Sequence, residues 1–169
     1  MSAFRAHTGG TVSFWLPAGV HMRLSAILLG RLPGTSTNTL GELREPFSTP
    51  GLAMATTYSR EQLSHLTQAA RRRGVQLGRR FRTMRDITSA VQQVSQRGYA
   101  VGFNLRSDGW GIIAWPVPMS ADQQRFGVIA VGMHVPELRS REQEIAAFAE
   151  RLLQRYRKEL RTYAGDEFD

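Results

Sequence analysis

Apolar residues recur at three- to four-residue spacing along three stretches of the chain, and each stretch opens on its own N-terminal cap. In the last, Ile145, Phe148, Leu152, Tyr156, Leu160 and Tyr163 share one helical face. Ser140-Arg141-Glu142-Gln143 reads as its capping box: the serine hydroxyl accepts from an orphan backbone N–H, and Gln143 reaches back to the cap residue. Glu142 and Glu144 near the start and Lys158 and Arg161 near the end complement the helix dipole, and Gly165 offers a stop. Ser59-Arg60-Glu61-Gln62 repeats the box ahead of Leu63, Leu66 and Ala70, with Gly74 as terminator. Thr83-Met84-Arg85-Asp86 caps a face of Ile87, Ala90, Val91 and Val94 that ends at Gly98. A shorter apolar helix is expected over residues 24–32, ahead of Pro33-Gly34. Residues 33–58 are rich in Gly, Pro, Ser and Thr and read as irregular around one short helical piece at 40–44.

Strand patterns fill the rest. Residues 11–16 are β-branched and aromatic and follow a turn at Gly9-Gly10; residues 99–103 follow the Gly98 stop. Residues 110–117 and 125–134 are apolar runs of strand length, joined by a polar connection suited to a hairpin. Helices around an antiparallel sheet make an α+β domain. No linker or repeat divides it, so residues 1–169 are expected to form one domain.

Composition narrows the chemistry. Hydrophobic residues at 41% and charged residues at 21% are ordinary for a folded chain. The absence of cysteine removes disulfides, thiolate catalysis and Cys-ligated metal sites, and it fits a reducing cytoplasm. The N-terminus carries no signal-peptide core, and the longest apolar stretch is far too short to span a bilayer. A cytoplasmic protein is expected, without a membrane partner. Four histidines, His7, His21, His65 and His134, lack metal-ligand spacing; His21 and His134 alone could converge, a thin basis for zinc. No nucleophile elbow, phosphate loop or paired-carboxylate pattern is present, so neither metal, cofactor nor enzymatic activity is expected.

The net charge of +8 is almost all arginine, since Lys158 is the single lysine. Arg71, Arg72, Arg73, Arg79, Arg80, Arg82 and Arg85 cluster in one short segment. Such a cluster suits phosphate backbones or an acidic partner surface, and a nucleic-acid-binding or scaffolding role follows from it. The plainer reading is a solvated helix end and loop.

The span 96–136 resembles the C-terminal half of the effector-binding domain of IclR-type bacterial transcriptional regulators. Arg97-Gly98-Tyr99-Ala100 matches that family's arginine-rich helix end and Gly-Tyr-Ala. Gly109-Trp110-Gly111-Ile112-Ile113-Ala114-Trp115-Pro116-Val117 matches its glycine followed by an I-A-x-P-V strand, and Phe126 to Gly132 its return strand. Leu24-Ser25-Ala26-Ile27-Leu28-Leu29-Gly30-Arg31-Leu32-Pro33 looks like the family's first helix. The resemblance extends over about residues 16–163.

It implies a GAF-like antiparallel sheet flanked by helices, and an effector pocket on one sheet face. It further implies allosteric control of DNA-binding heads in a homodimer or tetramer. The effector would be a small organic or aromatic acid, its carboxylate met by helix N-terminal N–H groups around Arg23, Leu24 and Ser25, with Arg23 as a clamp. Trp110, Ile112, Ala130 and Gly132 would line the pocket, and Asn104 and Asp108 would reach polar groups of the ligand. Trp110, Trp115 and Met133 point to a large or aromatic effector. Each of these residues also has a plainer role as core, surface or loop.

The sequence departs from the family pattern. No winged helix-turn-helix precedes Thr11, and the domain's own opening helix and strands, distinct from the conserved helix matched at 24–33, are not evident, leaving a truncated regulator and a stand-alone relative as alternatives. DNA contact would then run through a winged-helix domain not present in this chain. Residues 51–82 read as an insertion.

Overall fold

The computed structural model describes residues 1–31, 39–78, 80–104 and 108–165. Helix α1 (Ser2–Thr8) leads into strands β1 (Thr11–Ala18), β2 (His21–Leu28) and β3 (Leu43–Arg44). Three helices follow: α2 (Thr49–Ala55), α3 (Arg60–Arg72) and α4 (Met84–Arg97). Strands β4 (Ala100–Phe103), β5 (Trp110–Pro118) and β6 (Phe126–His134) precede the long helix α5 (Val135–Gly165). The six strands form one antiparallel sheet in the order β3-β2-β1-β6-β5-β4. The fold is α+β, as the pattern predicts.

Alternation along the strands gives the sheet two apolar faces. On one, Val12, Ile113, Trp115, Ile129, Val131 and Met133 pack against Phe4 of α1 and Leu138, Ile145, Ala149 and Leu153 of α5. On the other, Trp15, Met22, Leu24, Ala114, Val128 and Ala130 meet Ala53 and Met54 of α2, with Val94 of α4 beside them. A third cluster of Phe47, Ala55, Leu63, Ala70, Leu77 and Ile87 ties α2, α3 and α4 together. Gly51 allows α2 to lie tight against its approach loop, since a Cβ there would collide with the Pro46 carbonyl.

Three expectations about secondary structure are corrected, and the structure adds α1 and α2, the latter inside the stretch read as irregular. The helix expected over 24–32 is strand β2 as far as Leu28, and residues 32–38, with Leu32, Pro33 and Gly34, lie outside the described residues. The cause is a bulge: Phe14 pairs with Ala26 but Trp15 with Leu24, so Ser25 is an extra residue. That insertion spaces Leu24, Ile27 and Leu28 three and four apart and imitates a helical face. The piece at 40–44 is a turn leading into β3. Helix α5 begins at Val135 rather than at Ser140, whose hydroxyl donates to the Glu137 carbonyl from inside the helix. Helix α1, with Phe4 its one buried apolar side chain, carries too little pattern to be read. By contrast, both other boxes close as expected. Ser59 Oγ accepts from Gln62 N, Thr83 Oγ1 accepts from Asp86 N, and Gly98 ends α4 with φ of 86°.

Candidate functional site

Between α4, the 42–50 segment and the second sheet face lies a cavity of about 730 Å³, within the range of small-molecule sites. Its floor is Trp15 of β1 with Trp110 and Ile112 of β5. Phe47, Ser48, Thr49, Pro50 and Leu52 form one wall, and Gly78, Arg80 and Phe81 a corner. Helix α4 supplies Arg85, Ser89, Gln93 and Arg97, one polar row at four-residue spacing, flanked by Ala90 and Val94.

The row keeps its direction because α4 is fixed at both ends. At the N-terminus Asp86 Oδ2 accepts from Thr83 N at 2.8 Å and Arg82 N at 3.1 Å. The Thr83 hydrogen bonds, then that from Arg82, hold the Asp86 carboxyl below the usual carboxylate range. At the C-terminus Gly98 N donates to Val94 O. Arg97 lies with Cζ 5.6 Å from the Tyr99 ring centroid. Across the cavity Arg44 lies 5.6 Å from the Trp15 ring centroid and pairs with Glu42 at 3.2 Å. The described lining therefore holds four arginines, Arg44, Arg80, Arg85 and Arg97, against Glu42, Glu45 and Asp86. Aromatic floor and guanidinium rim together suit an organic anion.

Of the residues singled out from the sequence, Trp110 and Ile112 line this cavity. Ala130 and Gly132 are one strand further in: Ala130 is 1% exposed, and Gly132 lies beneath the Trp110 indole. Leu24 is core, and Ser25 is the bulge, its hydroxyl donating to the Arg23 carbonyl at 3.4 Å. Arg23 is exposed on β2, turned by strand alternation to the face opposite Met22 and Leu24. The helix N-terminus on which its role as a clamp depended does not exist. Asn104 Oδ1 accepts from Gly109 N at 2.8 Å and so closes the β4–β5 loop; Asp108 is exposed there, and neither lines the cavity.

The arginine cluster is divided. Arg80 and Arg85 are exposed but border the cavity, whereas Arg71, Arg72 and Arg73, exposed too, lie at the end of α3, Arg71 donating to the Arg82 carbonyl at 2.6 Å. Arg79 lies outside the described residues. His21 and His134 do not converge: they sit at opposite ends of the strands flanking β1, and no group of three metal-ligating side chains occurs among the described residues. No described helix is long and apolar enough to cross a membrane. The lining residues that the sequence reading missed, Trp15, Arg44, Phe47, Phe81 and Arg97, come from segments far apart in the chain. Only the polar row on α4 left a periodic signal.

No family model and no curated protein matches the sequence. Solved structures do. The effector domain of IclR from Acinetobacter sp. ADP1 superposes with a TM-score of 0.69 at 16% identity, over 94% of this chain and 90% of that one. The chain has the fold of an IclR effector domain. The transcriptional regulator YaiJ gives a TM-score of 0.80 at 15% identity, over 95% and 91% of the two chains. The Thermotoga maritima IclR gives 0.79 at 14% identity over 95% of this chain, which spans 65% of that protein. The curled six-stranded sheet with helices on both faces is thus the GAF-like architecture that the Gly-Tyr-Ala and I-A-x-P-V resemblance implied.

Proposed function

We propose that this chain is the ligand-binding and oligomerising domain of a cytoplasmic transcriptional regulator, without catalytic activity. A small organic or aromatic acid occupies the cavity over Trp110 and Ile112, and its binding biases the arrangement of DNA-binding heads in a homodimer or tetramer. DNA is contacted through a winged-helix domain rather than through Arg71, Arg72 and Arg73. The observation that carries the reading is the cavity itself: indoles on its floor and guanidinium groups on its rim, in a fold shared with effector domains.

A thermal-shift screen of the chain against organic and aromatic acids tests it. A ligand at about a hundredfold its Kd adds roughly 2.7 kcal/mol, a rise of several degrees in Tm. Ala90→Trp, which fills the cavity from α4, is expected to abolish that rise. Stabilisation by a DNA duplex alone, sensitive to salt and lost when Arg71, Arg72 and Arg73 are neutralised, would instead make the arginine cluster the functional surface.

A further inference from the structure

Within that proposed reading, we infer that the ligand is an elongated molecule carrying two acidic groups, one at each end. The lining cations are not gathered at one point. Arg85 and Arg97 occupy opposite ends of the polar row on α4, just over three turns apart, or about 18 Å along the axis. Arg80 joins Arg85 at the first end. Between the two ends Ser89 and Gln93 continue the row, with Ala90 and Val94 beside them, and Trp110 and Ile112 lie below.

The charges available at the two ends are cationic. Among the described residues, Arg80, Arg85 and Arg97 enter no ion pair. Asp86, beside Arg85, spends its carboxylate on the backbone N–H groups of Arg82 and Thr83. Glu42 is paired with Arg44, which leaves Glu45 as the remaining carboxylate of the described lining. Arg97, with Cζ over the Tyr99 ring, still presents N–H donors. A monoacid would satisfy one end and leave the other cation facing apolar ligand surface. A diacid engages both, and the long guanidinium stems shorten the span it must bridge.

Isothermal titration calorimetry on the intact chain tests this with matched pairs: terephthalate against benzoate, suberate against octanoate, and dodecanedioate against dodecanoate. At least one diacid is expected to bind about tenfold more tightly than its monoacid, an increment typical of one added charge-assisted hydrogen bond. Arg85→Gln and Arg97→Gln, both at exposed positions on a capped helix, should each bring the diacid down to the monoacid's affinity. Equal affinities within every pair, or a diacid advantage that survives both substitutions, overturns the two-ended ligand and leaves the acid pocket standing. Failure of every acid to bind overturns both.

Discussion

The indole of Trp110 lies directly over Gly132 of the neighbouring strand, so that a Cβ at position 132 would come within 2.8 Å of Trp110 Nε1. The His134 ring meets the same indole edge-on, with centroids 5.5 Å apart. These contacts set the level of the cavity floor. Gly132→Ala should therefore displace Trp110, cost roughly 1–3 kcal/mol through overpacking, and weaken ligand binding. In a Trp110→Ala background the same change should be close to neutral. Urea denaturation of the four proteins measures the coupling, and simple additivity would show that the two residues do not set each other's position.

Arg141 of α5 anchors α1 from the side. Its Nη1 and Nη2 donate to the carbonyls of Thr8 and His7, at the C-terminal end of a short helix, while Glu137 and Glu144 hold the guanidinium in place. Arg141→Met should release α1. With the side chain 28% exposed, solvent screening limits the expected loss to about 1 kcal/mol. Hydrogen exchange should report faster exchange in α1 and an unchanged sheet.

The α4 cap links stability to pH and to the site. Thr83→Ala should cost about 1 kcal/mol and lower acid affinity, because α4 carries one wall of the cavity. The Asp86 carboxyl is held below its unfolded range by the Thr83 and Arg82 hydrogen bonds. Its contribution is therefore present above the unfolded carboxylate pKa and lost as pH falls through the lower folded value. Asp86→Asn should flatten the acid limb of a Tm-against-pH curve. A mutant whose limb runs parallel to the wild type's would contradict this.

Tyr99 titrates in the other direction. Burial, then its hydrogen bond to Glu142 at 2.8 Å, pushes the phenol up to about 12. The folded state thus holds this proton more tightly than the unfolded chain. Its contribution is complete below an unfolded pKa near ~10 and declines as pH rises towards 12. Tyr99→Phe should lose stability at neutral pH and show a shallower alkaline decline, read from denaturation midpoints across that window.

Legibility in the sequence follows the range of the forces involved. Helices α3 and α4 are readable because their caps are local: Ser59 with Gln62 and Thr83 with Asp86 each close a box within one turn. Strand β2 is misread because the bulge at Ser25 depends on pairing with Phe14 and Trp15, residues on another strand. The start of α5 is misread because Val135 N donates to the Gly109 carbonyl, across the sheet end, so no local capping side chain marks it. The cavity is the least legible feature. Arg80 and Arg85 stand out as charge beside Arg71, yet only the tertiary fold brings these two to the rim of a cavity floored by Trp110. Trp110 and Ile112, on the strand that resembles the family, line the cavity, whereas Arg23 lies on a strand rather than at the helix that was meant to present it.

The chain's three tryptophans provide the most direct test of the central claim, that the cavity is the ligand site. Trp15 and Trp110 line it, while Trp115 packs on the opposite sheet face against α1 and α5. Intrinsic fluorescence, titrated with an acid that raises Tm, should therefore change through Trp15 and Trp110. The response should persist in Trp115→Phe and vanish in the Trp15→Phe/Trp110→Phe double variant, with binding still detectable by calorimetry. A response that survives in the double variant and disappears with Trp115 would place the ligand on the other face and contradict the account.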